Sequence, residues 1–434
     1  VSARAAIVVT GTELVSGRVS DRNGPWLAAR LGELGIDPAH TTIVGDRPAD
    51  MLAALEWSAS LGVSLIVTSG GLGPTADDLT ATVVGEFCGR EMVLDVALEE
   101  RIAAILLAYR GRWRQWSESA IREANRKQAV IPAGATVLDP VGTAPGLVVP
   151  PADGRVGPTV VVLPGPPREL QALWEQATHT QAFAQATADA TVYEQRVLRL
   201  FGLPESEIAT TLRQAQAAGI ALERLEVTTC VRSGELEIVT RFEPPDREVA
   251  DALQELIRER HAGVIFSDDG SGIDEQVASA LIERGLTVAV AESCTGGLVL
   301  ARLTGRPGSS AFLRGGVVAY ADEVKAALAG VPAELIERHG AVSQEVAVAL
   351  AEGARERVGA DIGIGVTGVA GPGGGTAEKP VGLVWIALAG PDGRRLVRRT
   401  EQHGTRADVR ERSVITAMHL LRRLLLGAAD EPAG

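Results

Sequence analysis

The stretch Thr287-Val288-Ala289-Val290-Ala291-Glu292-Ser293-Cys294-Thr295-Gly296-Gly297 decides how the chain is read. A short apolar run ends in a polar, glycine-rich turn and leads into a helical stretch, the pattern of a strand whose C-terminal end opens at a βα turn. The same alternation continues downstream. Val317 to Tyr320, Asp361 to Val366 and Gly382 to Ala387 predict further strands, and Val414, Met418, Leu421 and Leu425 fall on one face of a long terminal helix.

The opening third has the same construction. Ala5 to Val9, Thr41 to Val44 and Leu65 to Thr68 predict strands, and Leu27, Leu31 and Leu34, then Met51, Leu52 and Leu55, recur at helical spacing. A loop rich in proline and glycine follows Pro150, a strand resumes at Val160 to Leu163, and Pro164 to Pro167 forces a turn before a helix from about Arg168. From about Tyr193 the pattern becomes strand, helix, two strands and helix, with Ser233-Gly234 as the turn of a hairpin between Leu225 to Val231 and Leu236 to Phe242. The expected fold is α/β, two three-layer α/β domains joined by a small α+β module. The expected boundaries are 1–167, 168–264, a linker at 265–272, and 273–428.

Composition fits that architecture. The 434 residues are 46% hydrophobic but only 3% aromatic, with 49 glycines, so the cores should be aliphatic and the turns tight. A net charge of -13 and the lack of a long basic run argue against direct nucleic-acid binding. Cys88, Cys230 and Cys294 are far apart and form no Cys-x-x-Cys pair, so neither a disulfide framework nor a cysteine zinc site is expected. No apolar stretch reaches membrane-spanning length, and the chain reads as cytoplasmic.

Ser293 falls where a strand-to-helix turn would expose a hydroxyl, and amides at the helix start can hold an oxyanion. A serine needs a base, and this region offers His339, His403 and His419, or Lys325, about a turn inside a helix that follows Tyr320. Lys325 can equally be a surface helix lysine. Cys294 is the competing nucleophile, or else a structural thiol. Val366 to Pro372 followed by Gly373, Gly374 and Gly375 is a strand ending in a glycine-rich loop, which can meet a phosphate or simply turn the chain.

Near the N-terminus, Gly11-Thr12-Glu13-Leu14 and Thr68 to Asp78 follow the first and third strands, where open α/β sheets bind ligands. The amides of Gly70 to Gly73 can approach a pyrophosphate. Asp77, Asp78, Glu13 and Asp46 are candidate ligands for a divalent cation, with helix capping as the other role for the two adjacent aspartates.

Taken together, Glu292 to Gly297, Gly315 to Tyr320 with Lys325, His339 to Ser343, Thr367 to Pro372 and Glu378 to Gly382 resemble the C-terminal domain of the CinA family, the nicotinamide mononucleotide (NMN) deamidases. Asn125 to Ala129, Pro140 to Gly146 and Leu163 to Pro167 extend the resemblance to the molybdopterin-binding-like domain of the same family. The C-terminal resemblance implies hydrolysis of NMN to nicotinate mononucleotide and ammonia without a metal. Ser293 would attack and Lys325 act as base, with Tyr320 and Ser310 orienting the dyad and Thr295, Gly296, Gly316, Thr367, Gly368 and Arg406 engaging the substrate. A lysine in that role should be partly buried, close to Tyr320 and free of a paired carboxylate.

For the N-terminal domain the resemblance implies an ADP-ribose pyrophosphatase yielding AMP and ribose 5-phosphate. Its cofactor would be Mg2+, Mn2+ or Co2+ on Asp77, Asp78, Glu13 and Asp46, with Gly70, Gly71, Gly73, Thr75, Asn125 and Lys127 on the phosphates. The sequence departs from the family at Asp21-Arg22-Asn23, where many members carry a run like Asn-Thr-Asn. The middle module resembles the family's KH-like region but lacks a Gly-x-x-Gly clamp. A homodimer is expected from the resemblance. Two alternatives remain: a non-enzymatic competence or DNA-damage factor acting through protein partners, and an N-terminal domain that binds molybdopterin.

Overall fold

In the computed structural model, which describes residues 2–108 and 126–427, the apolar runs become the strands of three main sheets. The chain divides into two units, Val1–Tyr193 and Glu194–Gly434.

In the first unit, β1 (Arg4–Thr10), β2 (Asp37–Val44), β3 (Leu65–Ser69), β6 (Thr136–Leu138), β7 (Gly146–Val149) and β8 (Thr159–Leu163) form one sheet, while β4 (Met92–Leu94) and β5 (Val130–Pro132) make a separate pair. The order is β2-β1-β3-β8-β7-β6, parallel from β2 to β8 and antiparallel beyond. Every residue of β3 and β8 is buried. Strands covered on both faces read as continuous apolar runs, which is why these two lack alternation. Leu27 and Leu31 of helix Asn23–Glu33 cover one face, and Leu55, Val84 and Leu98 belong to the core on the other.

The first expected boundary is corrected. Leu170, Leu173 and Trp174 of helix Pro167–Thr178, with Phe183 of Gln181–Ala186, pack into the first unit's core, so this unit runs to residue 193 rather than 167. The proline turn bends the chain without ending the domain, because the helix beyond it must bury its apolar face on the sheet it has just left.

The second unit opens with the small α+β module. Its antiparallel sheet has the order β10-β11-β9-β12, from β9 (Glu194–Phe201), β10 (Glu226–Arg232), β11 (Glu235–Phe242) and β12 (Ile265–Ser267). Ser233 (φ 53°) and Gly234 (φ 92°) make the hairpin turn, both left-handed as a primed turn requires. The expected linker is shorter than 265–272, because its first three residues are strand β12, paired with β9. Helices Glu205–Ala217 and Arg247–His261 share its core.

The remaining sheet has the order β14-β13-β15-β16-β17, from β13 (Val288–Glu292), β14 (Leu313–Val318), β15 (Ile362–Gly368), β16 (Leu383–Ala389) and β17 (Arg395–Glu401). The first three strands are mutually parallel and the last two antiparallel. The terminal helix Arg406–Leu425 and helix Ile273–Arg284 share one core with it, and Gln344–Val358 covers the other face, giving three layers. That last contact is intimate. A Cβ at Gly363 or Gly365 would lie 1.8 Å from Ala351 O or 2.1 Å from Ala347 O, so only glycine admits the helix. No helix among the described residues is long and apolar enough to cross a membrane.

Candidate active sites

In the second unit, the C-terminal ends of three parallel strands set the site, since Glu292 pairs in register with both Val318 and Val366. Ser293 N donates to Val366 O at 2.9 Å, and Ala319 N to Glu292 O at 2.7 Å. Ser293, Tyr320 and Thr367 therefore emerge at one end of the sheet, at the crevice where such sheets bind ligands. Ser293 is 8% exposed, on a turn that needs the left-handed Gly296 and Gly297.

Glu292, which residue-by-residue reading left without a role, organises this turn. Its fully buried carboxylate accepts from the amides of Gly297 (2.9 Å), Val299 (3.1 Å) and Leu300 (2.9 Å) at the start of helix Leu298–Thr304. The signal was present: an acidic residue just ahead of a glycine-rich helix start. The consequence is a correction, because these helix-start amides serve Glu292 and not an oxyanion.

Lys325 is interior rather than a surface helix lysine. It is 2% exposed, and its Nζ donates to Tyr320 O at 2.9 Å and Asp322 Oδ1 at 3.0 Å. The expectation of no paired carboxylate is therefore wrong, since Asp322 opens the helix Asp322–Ala327 and residues three apart on a helix face each other. No hydrogen bond joins Lys325 Nζ to Ser293. Tyr320 is near through its carbonyl, while the residue is 59% exposed and its phenol oxygen accepts from Arg406 Nη2 at 3.0 Å.

The competing candidates separate on burial and position. Cys294 is 5% exposed, and burial pushes its thiol up to about 12, which keeps it protonated and unreactive. His419 is buried against Phe201 and bonded to Glu235, His339 lies beside Glu345, and none of the three histidines bonds to Ser293. Ser310 is misplaced for the orienting role. It lies exposed ahead of β14, at the opposite end of the parallel strands from Ser293, roughly 17 Å away by strand rise. Gly316 lies inside β14, where a Cβ would come within 2.2 Å of Val290 O, so its role is strand packing rather than ligand contact.

The substrate-side candidates form a connected set. Thr367 Oγ1 donates to Ala341 O at 2.7 Å, and Gly368 ends β15. Arg406 is the first residue of the terminal helix, behind a capping box of Thr405 and Asp408, and its Nη1 donates to Gly371 O at 2.8 Å. One turn further on, Arg410, not anticipated from sequence, donates to Thr295 O at 2.9 Å and sits over Gly296. Its spacing of four from Arg406 was the available clue. Thr295 is fully buried, and its Oγ1 has no partner among the described residues.

In the first unit, the C-terminal ends of β1, β2, β3 and β8 open a cleft that includes Glu13, Asp46, Asp77 and Asp78 with Gly70 to Gly73. Gly70 (φ 108°) and Gly71 (φ 64°) run so close to Thr10 O and Thr80 Oγ1 that a Cβ would collide at 2.6 and 2.1 Å. The carboxylates are locally engaged. Asp46 accepts from Thr12 N (2.9 Å) and Oγ1 (2.7 Å), and Asp78 accepts from Thr75 N (2.9 Å) and Oγ1 (2.6 Å). The Thr75 hydroxyl also bonds to Asp77 and holds its carboxyl below the usual range.

Among the described residues no three such groups come together as a cation cage, which corrects the picture of a four-carboxylate metal site. What fits is a cation taking one or two of these carboxylates and completing its shell with phosphate oxygens and water. Lys127 Nζ is bonded to Thr75 O, and Asn125 lies outside the described residues. Asn23, in the run that departs from the family, joins Ser69 Oγ (2.9 Å) to Gly165 O (2.7 Å). Gln128 and Glu169 also line the cleft; their types alone carried no signal.

Fold and sites define a protein of two α/β units, each with polar loops gathered at the C-terminal ends of parallel strands. Residues 6–182 match the family model described as probable molybdopterin binding domain, and residues 271–425 match that of the CinA C-terminal domain. A CinA-like protein of Mycobacterium sp. (strain MCS) is 58% identical over 98% of this chain and 99% of its own length. One of Mycobacterium tuberculosis (strain ATCC 25177 / H37Ra) is 56% identical over 100% of both. The chain belongs to the CinA-like family. A solved competence-damaged protein (CinA) superfamily protein from Klebsiella pneumoniae is 37% identical, covering 36% of this chain and 96% of its own, with a TM-score of 0.35.

Proposed function

We propose that the second unit hydrolyses the amide of NMN to nicotinate mononucleotide and ammonia. The observation that supports this most is an interior lysine, Lys325, held beside Tyr320 at the same sheet end as Ser293. A buried lysine is the lysine suited to proton transfer. Ser293 Oγ adds to the amide carbon as its proton passes to the Lys325 amine. The amide nitrogen leaves as ammonia, carrying that proton away. Water, giving a proton to Lys325, then opens the acyl-serine ester and frees the acid; the proton returns to Ser293. For Lys325 to act this way its pairing with Asp322 must open. Arg406 is suited to the nucleotide phosphate.

The first unit, in the same proposal, cleaves ADP-ribose to AMP and ribose 5-phosphate, with the amides of Gly70 to Gly73 on the pyrophosphate. A bound Mg2+, Mn2+ or Co2+ would neutralise phosphate charge and activate water. One or two of Asp77, Asp78, Glu13 and Asp46 would hold it, with phosphate oxygens and water completing its shell. Its family model favours a second reading, molybdopterin in the same cleft.

The test is product analysis of the intact protein. Ammonia from NMN should be lost in Ser293→Ala and persist in Cys294→Ala; the reverse pattern would sink the assignment. AMP from ADP-ribose should require a divalent cation and fall in Asp78→Ala. Absence of AMP with every metal, together with binding of molybdopterin, would favour the second reading.

A further inference from the structure

The cleft of the first unit has an acceptor side that a pyrophosphate does not use. Gln128 is 6% exposed, and its Nε2 donates to Leu72 O at 2.8 Å. A carbonyl only accepts, so this bond sets the orientation of the amide and leaves Oε1 as an acceptor, buried without a partner among the described residues. Glu169 enters the same cleft from the start of helix Pro167–Thr178. Its carboxyl sits against Gly142, where a Cβ would lie 2.4 Å from it, and makes no hydrogen bond or ion pair among the described residues. Partial burial pushes this carboxyl above the usual range.

An unpartnered buried acceptor such as Gln128 Oε1 is costly, and a ligand that supplies hydrogens relieves it and serves the half-buried Glu169 carboxylate beside it. Phosphate oxygens, the natural occupants of the glycine amides, are acceptors and cannot do so. Sugar hydroxyls can, and a carboxylate is a common partner for ribose hydroxyls. We propose that Gln128 and Glu169 accept hydrogen bonds from sugar hydroxyls of the bound ligand, so that the first unit selects a ribosyl phosphate over its deoxy counterpart. This rests on the first unit being a phosphate-ester site and adds which non-phosphate group it reads.

The experiment is calorimetric titration of the full chain with ribose 5-phosphate, 2-deoxyribose 5-phosphate and inorganic phosphate. Wild type should prefer the ribose ligand by about tenfold or more, the discrimination of one charge-assisted hydrogen bond. Glu169→Gln, which removes the charge, should erase most of that preference, Gln128→Ala should weaken both sugar ligands alike, and both variants should leave inorganic phosphate binding unchanged. Glu169→Gln keeps the shape of the side chain, so it remains informative if Gln128→Ala unfolds.

Equal affinity of wild type for the two sugars, alongside ADP-ribose hydrolysis, overturns this inference and leaves the hydrolase reading standing. Failure of all three ligands to bind overturns both. Binding of Mg2+ alone that disappears in Glu169→Gln would make these residues cation ligands and overturn the sugar assignment.

Discussion

Lys325 Nζ lies 3.0 Å from Asp322 Oδ1, with the lysine side chain 2% exposed and the aspartate 55% exposed. An interior lysine thus has its counter-charge on the solvent side. Asp322→Asn should therefore release Lys325 and raise ammonia production from NMN at neutral pH. Lys325→Met should lower it by more than ~100-fold, the scale of lost general-base catalysis. Its melting temperature should change little, because an apolar side chain of similar length fills the space of the buried lysine, and the exposed Asp322 left behind keeps its hydration. A Lys325→Met protein that turns over NMN normally would remove lysine from the chemistry.

Cys294 and Cys230 should differ in alkylation. With its thiol pushed up to about 12 by burial, Cys294 should resist iodoacetamide at pH 8 in the folded protein, while exposed Cys230 reacts. Peptide mass mapping reads this directly. Rapid modification of Cys294 with loss of activity would reopen it as the nucleophile.

Arg406 and Arg410 should fail in different ways. Arg406→Ala should raise KM for NMN and have less effect on nicotinamide riboside, which lacks the phosphate. Arg410→Ala frees the carbonyl of Thr295 on the turn that carries Ser293, so it should lower kcat for both substrates by roughly tenfold, the scale of one charged hydrogen bond. Steady-state kinetics on the two substrates separates these outcomes.

The capping box of the terminal helix should be visible in stability. Thr405→Ala should cost about 1 kcal/mol, as loss of an N-cap side chain does. Asp408 accepts from Thr405 N and Oγ1, both at 2.7 Å, and these bonds hold its carboxyl below the usual range. A depressed carboxylate contributes stability that is present above its unfolded value and lost as pH falls through the folded one. Asp408→Asn should thus lower the melting temperature at pH 7, and the gap to wild type should narrow on acidification toward pH 3. A gap that widens instead would contradict this account.

The sites were only partly legible in the linear order. Ser293, Tyr320 and Thr367 could be picked out because each lies on or just beyond a strand that the apolar pattern marks, Lys325 because it lies about a turn inside the helix that follows one, and Asp77 and Asp78 because they follow a glycine turn. Their actual partners could not be read this way. Asp322 beside Lys325 depended on where a helix begins, and the engagement of Asp46 with Thr12 on how two loops of the sheet face each other.

What the sequence determined by itself is the local grammar: apolar runs of strand length, helical faces such as Leu27 and Leu31, and the Ser233-Gly234 hairpin turn. Periodicity and turn chemistry reside in adjacent residues, so they survive being read one after another. The tertiary structure alone decided that helix Pro167–Thr178 belongs to the first sheet and that Ser310 sits at the wrong end of the second. It also brought Arg410 to a carbonyl 115 positions away. Those outcomes depend on which apolar face finds a sheet to cover and which donor meets an orphaned acceptor across the fold. Both are properties of packed neighbours, and spacing along the chain does not encode them.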